Sequence, residues 1–254
     1  VYVSAGAWNA ANISVLDLNG NNQTLAGLAD GATLTGARRV LNTGVATSTL
    51  TLNMTNNYVF SGSLGGADVN GTPGDNLVLV KTGSGTQTLS GVSTYTGATM
   101  VNAGALSIAN GSISSSSPIN VAGGALLTTS VNNTFGIVPS AGWTIAGVIQ
   151  GTANSQTMPP SVTLNNGTMS GNTFATYGTF LVGVAGPVTI TCNGAGNTMD
   201  AGNIGLASTL TLSTLAASDA VSVFSVLGSS AVPFAGGGLT KSGSYPLQGI
   251  LRQY

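Results

Sequence analysis

Apolar and polar residues alternate in short runs along most of the chain, and each run stops at Gly with Ser, Thr or Asn. Alternation of period two is the mark of a strand with one buried face, and the punctuation is that of tight turns. The clearest stretch is 77–110, LVLVKTGSGTQTLSGVSTYTGATMVNAGALSIAN, where Leu77, Leu79, Leu89, Val101 and Ile108 fall on alternating positions. In STLTLNMT, Leu50, Leu52 and Met54 alternate with Thr49, Thr51 and Asn53, and the last third repeats the theme in FLVGV, VTITC, STLTLSTL and VSVFSVL. No segment of helical period interrupts them. Asn-Gly pairs beginning at Asn19, Asn70, Asn110, Asn166 and Asn193 predict sharp turns that use a positive φ.

Strand, turn, strand, turn predicts an all-β chain, and by itself it fits either a β-solenoid or an antiparallel sandwich. Small residues at the turns, and Asn and Thr runs able to stack on like neighbours, favour the solenoid. Coils of about 22 residues rising ~4.8 Å each would give a rod of about eleven coils, roughly 50 Å long. Such a rod has open backbone edges at its two ends. With 254 residues, 42% of them apolar, and no shift of composition along the chain, residues 1–254 are expected to form a single elongated domain.

Composition then narrows the chemistry. Only 4% of residues are charged, against roughly 25% in an ordinary soluble domain, and the chain has no His and no Glu. Arg38, Arg39, Lys81, Lys241 and Arg252 form no patch beyond one Arg pair, which argues against nucleic acid. No apolar run approaches the ~20 residues of a membrane helix. Catalysis through an activated nucleophile lacks a base, and Ser beside Lys81 or Lys241 has no supporting motif. Of the acids Asp17, Asp30, Asp68, Asp75, Asp200 and Asp219, only Asp68 and Asp75 lie close together, in a Gly-rich loop that reads as a solvated turn. The expectation is therefore no enzyme, no cofactor and no metal site. Cys192 is the single cysteine and cannot form an intrachain disulfide; the alternation puts it on the inward side of its strand.

The order L-x-K-T-G-x-G-x-x-x-L-S-G-x-x-x-Y-T-G-A-T-x-V-x-A-G-A-L resembles the autotransporter-associated β-strand repeat, also called the passenger-associated transport repeat, of bacterial surface proteins. It is carried here by Leu79, Lys81, Thr82, Gly83, Gly85, Leu89, Ser90, Gly91, Tyr95, Thr96, Gly97, Thr99, Val101, Ala103, Gly104 and Leu106. Weaker echoes lie at 16–28, 58–64 and 111–127. The resemblance implies a right-handed parallel β-helix, exported to the extracellular side of the bacterial cell surface and acting through its surface, without implying a reaction.

An internal comparison adds a partner. VYVSAGAW at 1–8 aligns without gaps on 99–106, placing Val3 on Val101, Gly6 on Gly104 and Trp8 on Leu106. LTKSGSYPLQGILRQY at 239–254 follows the other half of the repeat, with Leu239 on Leu79, Lys241 on Lys81, Leu247 on Leu89 and Gly249 on Gly91. These split halves, beside the complete repeat at 77–110, predict axial stacking of copies of the chain into a filament or surface fibre. Val1, Tyr2, Val3, Trp8, Leu239, Leu247, Ile250 and Tyr254 would form the subunit interface. The alternative is an adhesin-like passenger segment whose side binds a surface glycan or polymer. Thr-x-Thr pairs at Thr47, Thr49 and Thr51, at Thr86 and Thr88, Thr94 and Thr96, Thr189 and Thr191, and Thr209 and Thr211 would suit a regular lattice such as ice or a crystalline polysaccharide. Their irregular spacing argues against one shared face.

Overall fold

The computed structural model describes residues 13–30, 36–109, 113–114, 117–130, 141–151, 155–157 and 159–170. Beyond these it describes the segments 179–182, 188–193, 197–200, 203–206, 209–214, 221–223, 226–227, 239–242, 248–249 and 252–253. Among the described residues every regular element is a strand. Every pairing between strands is parallel, with each strand lying on its counterpart in the next coil. That arrangement is a parallel β-helix. The sandwich that the strand pattern also allowed is ruled out, because a sandwich needs antiparallel neighbours.

One sheet has ten strands, from Gln23–Leu25 through Leu77–Thr82, Thr99–Val101 and Trp143–Ile145 to Leu239–Ser242. A second has nine, from Tyr58–Phe60 through Thr86–Leu89 and Ala105–Ile108 to Gln248–Gly249. The third side carries three strands early in the chain, Ile13–Asp17, Ala37–Leu41 and Ser63–Leu64, and five late in it, Ser155–Thr157 to Arg252–Gln253. Ten rungs at a strand spacing of ~4.8 Å span roughly 43 Å.

Parallel register turns the alternation of each strand into columns that run along the axis. In the ten-stranded sheet one column is Leu50, Leu79, Thr99, Ile119, Trp143, Val162, Ile190 and Leu212. Its neighbour is Leu52, Lys81, Val101, Val121, Ile145, Leu164 and Cys192. All of these are buried. Facing them from the nine-stranded sheet is Gln87, Leu106, Leu127, Ile149 and Met169, also buried. Each large apolar side chain so placed contributes about 1.5–3 kcal/mol. Cys192 takes the inward place that its alternation predicted.

Turn chemistry follows the same expectation where it can be followed. Asn19 has φ 46° beside Gly20 at 79°, and Asn166 has φ 56°. Asn110-Gly111 lies outside the described residues. The coils are of unequal length, since Leu79 pairs with Thr99 but Val162 pairs with Ile190. The longer coil carries an additional strand on the third side, Thr179–Val182, and register in the ten-stranded sheet is unaffected.

Candidate functional site

The repeat-like stretch closes around a buried lysine. Leu77, Leu79 and Lys81 occupy successive inward positions of one strand, so Lys81 stands in a column between Leu52 and Val101 with none of its surface exposed. Its Nζ donates to three carbonyl oxygens, of Thr82 at 2.7 Å, Gly83 at 2.8 Å and Ala103 at 3.1 Å. An ammonium has three donors, and here each finds an acceptor. The first acceptor ends the strand of Lys81, the second lies in the turn that follows it, and the third lies in the corresponding turn one coil later. Lys81 is thus a clasp between consecutive turns. Burial holds its pKa below the ordinary lysine value.

Gly104 makes room for the clasp. It has φ 64°, and a Cβ at this position would lie 2.4 Å from the Gly83 oxygen and 2.9 Å from Lys81 Nζ. Both the left-handed backbone and the close approach require glycine.

On the side without a strand at this level, Tyr95 fills the interior with no exposed surface. Its hydroxyl lies 2.6 Å from Thr99 Oγ1, which is 2.9 Å from Ser117 Oγ, and Ser117 Oγ donates to the Gly97 carbonyl at 2.8 Å. The run ties two consecutive coils through hydrogen bonds that water cannot reach. Burial pushes the Tyr95 phenol well above its usual pKa and keeps it protonated. Tyr95→Phe should lower stability by about 1–2 kcal/mol, because Thr99 keeps its Ser117 partner. A calorimetric melting midpoint lowered by a few degrees is the expected readout; an unchanged midpoint would mean that the phenol contributes only its ring.

Four acids, Asp17, Asp30, Asp68 and Asp75, are each held by hydrogen bonds to nearby turns or strand ends. Asp75 Oδ1 accepts from the Gly66 amide at 2.6 Å and Thr94 Oγ1 at 2.5 Å, and the Asp75 carbonyl accepts from the Thr96 amide at 2.9 Å. Asp68 accepts from the amides of Thr72 at 2.7 Å and Asn70 at 2.8 Å, bonds that hold its carboxyl below the usual range. Asp30 accepts from the Ser61 amide at 2.9 Å and pairs with Arg38 at 3.0 Å, while Arg39 donates to the Ala67 carbonyl. Asp17 is pushed up by partial burial, yet the hydroxyl and amide of Thr43 and the amide of Asn19 bring it net below the usual value. Among the described residues no group of three metal-ligating side chains is gathered.

Of the interface residues expected from the sequence, Val1, Tyr2, Val3, Trp8, Leu247, Ile250 and Tyr254 lie outside the described residues. Leu239 opens the last strand of the ten-stranded sheet, opposite Leu210. In that register Lys241 is opposite Leu212, in line with Leu79 and not with Lys81. Among the described residues, Gln23–Leu25 and Leu239–Ser242 each have a strand on one side only.

The clasp, the glycines beneath it and the tyrosine span the same residues as a known motif. Residues 79–108 match the passenger-associated-transport-repeat. No curated protein and no solved structure matches the chain. The passenger-associated-transport-repeat is a structural repeat of autotransporter passengers, which are secreted or cell-surface bacterial proteins, and the match associates this chain with them. Its conspicuous residues acquire physical roles here: Lys81 clasps two turns, Gly104 admits the ammonium, Tyr95 and Thr99 form the internal hydroxyl run, and Leu79, Leu89, Val101 and Leu106 line the core. Sequence reasoning had placed no role on Lys81 or Tyr95. The signal available for Lys81 was its place in the alternation of Leu77 and Leu79, which marks an inward position whatever the residue.

Proposed function

We propose that the chain is a non-enzymatic, extracellular structural protein of a bacterial surface, whose β-helix stacks head to tail on copies of itself to form a filament or surface fibre. The observation that carries this reading is in-register parallel pairing that continues from coil to coil, a geometry that a further copy of the chain can extend. Among the described residues Gln23–Leu25 and Leu239–Ser242 each pair with a strand on one side. An unpaired parallel edge is satisfied by another strand of the same geometry, and a head-to-tail contact of this kind propagates without closing. Scarcity of charge, at 4% of residues, leaves little repulsion between stacked copies.

The test is electron microscopy of the purified chain, with and without residues 1–8, which correspond in sequence to the second half of the repeat. Unbranched fibres that disappear on deletion are the expected result. Single short rods in both preparations would overturn the reading and favour the adhesin-like alternative, in which the flank binds a surface glycan and the ends stay free.

A further inference from the structure

We infer that the outer face of the ten-stranded sheet, over its later rungs, is a binding surface for ice. The inference concerns the flank and holds whether or not copies stack at their ends. In the later strands of this sheet the outward positions are almost all hydroxyl-bearing, and parallel register arranges them in two straight columns. The first runs Thr144, Thr163, Thr191 and Ser213. The second runs Ser161, Thr189 and Thr211. Register extends the first column to Ser242 and the second to Thr240. Their outward facing follows from the strand pattern: Val162, Leu164, Ile190, Cys192, Leu210 and Leu212 between them are buried, while Ser161 and Thr189 are exposed and Thr163, Thr191, Thr211 and Ser213 partly so.

The irregular spacing of Thr-x-Thr pairs in the sequence had argued against a shared face. The structure bears that out for those pairs: Thr86 and Thr88 lie in the nine-stranded sheet, Thr94 and Thr96 lie outside any strand, and Thr209 and Thr211 stand two residues out of step with Thr189 and Thr191. The array is built instead by three pairs that register brings together. Ser161 and Thr163, Thr189 and Thr191, and Thr211 and Ser213 lie on consecutive strands. Earlier rungs of the same sheet differ, with Val78, Val80 and Met100 at outward positions.

The result is a two-dimensional lattice. Neighbouring rungs are ~4.8 Å apart, and alternate residues of one strand ~6.6 Å apart. Both repeats are close to oxygen spacings on faces of hexagonal ice, so hydroxyls can each hold a water in a lattice position while threonine methyls fill the gaps between them. Water-bridged contacts of this kind are individually modest, and a rigid array sums them at little entropic cost because the strands are already fixed.

What the array lacks identifies the occupant. The described outward positions on these rungs carry no charge, which suits a neutral surface and leaves an ionic polymer without a handle. They carry no aromatic ring either, the one tryptophan on these rungs, Trp143, being buried inward, so a sugar polymer has no ring to stack on.

The experiment compares the unmodified chain with Thr191→Lys, at the centre of the array, and with Thr128→Lys, an outward position of the nine-stranded sheet. Each sample is assayed for inhibition of ice recrystallisation, with circular-dichroism melts to confirm the fold. The expected result is activity in the unmodified chain, loss of that activity in T191K, and retention in T128K with all three melting alike. No ice activity in the unmodified chain, or equal loss in both variants, overturns the inference. So does adsorption to crystalline cellulose or chitin that T191K abolishes in a chain without ice activity, which would assign the array to a polysaccharide.

Discussion

Gly104→Val is expected to melt the coils around the matched repeat, lowering stability by about 2–5 kcal/mol. Two costs add. A β-branched residue at φ 64° pays about 1–2 kcal/mol for the left-handed backbone, and its Cβ, 2.4 Å from the Gly83 oxygen and 2.9 Å from Lys81 Nζ, adds about 1–3 kcal/mol of overpacking. The displaced ammonium would also lose hydrogen bonds that no water can replace. Thermal unfolding should show a midpoint lowered by about 10 °C. Gly123→Ala is the control, because the nearest atom to a Cβ there is the Ala146 oxygen at 3.8 Å, an ordinary contact. A melting midpoint for G104V within a degree or two of the G123A value would show that the turn can move, and that the tight stack of glycine turns is not required.

Lys81→Met tests the clasp itself, with an expected loss of about 3 kcal/mol. Replacing a buried ion together with its partners by apolar groups is often neutral, but here the substitution removes one side only. The Gly83 and Ala103 oxygens lose this donor, while the Thr82 oxygen keeps the Met54 amide at 3.4 Å. Stranded acceptors cost about 1–3 kcal/mol each in buried settings, which outweighs the relief from no longer burying a charge. Hydrogen exchange should quicken at the turns 82–85 and 102–104 before it does elsewhere; uniform protection across the chain would refute the clasp. The pH dependence has a defined sign. The folded pKa of Lys81 lies below its unfolded value of 10.5, so between the two the unfolded chain holds the extra proton, and stability rises as pH is raised through that window. K81M should lack this rise. Tyr95 acts oppositely above pH 10, where the unfolded phenol ionises first and stability falls, and this fall should persist in K81M.

Much of the fold was legible because the period of a strand is local. Leu50, Leu52, Leu77, Leu79, Val101 and Leu106 announce their inward facing within a few residues of sequence, and the structure buries all of them. The turn at Asn19-Gly20 was equally legible, since the φ it needs belongs to those two residues alone. Periodicity could not separate solenoid from sandwich, because alternation says which face is buried and nothing of which strand lies alongside. Small residues at the turns, Asn and Thr runs able to stack, and the resemblance at 77–110 supplied that preference, and parallel pairing bears it out.

The roles of Lys81 and Tyr95 were harder to read. Lysine usually marks solvent, and its burial here depends on the Ala103 carbonyl of the next coil, a partner that no local pattern contains. Tyr95 likewise depends on Ser117, reached through Thr99 one coil further on.

By itself the sequence determined the strands, their inward residues, the turn positions and the absence of histidine and glutamate, because each is a property of one residue or of near neighbours. Tertiary structure alone decided what lies on top of what. Coils of unequal length bring Thr163, Thr191 and Ser213 into one column and set Lys241 in register with Leu212 and not in line with Lys81. The physical reason is that register is chosen by backbone pairing and core packing between coils, while loop length is nearly free: doubling a loop costs only about 0.6 kcal/mol, less than one misplaced inward side chain.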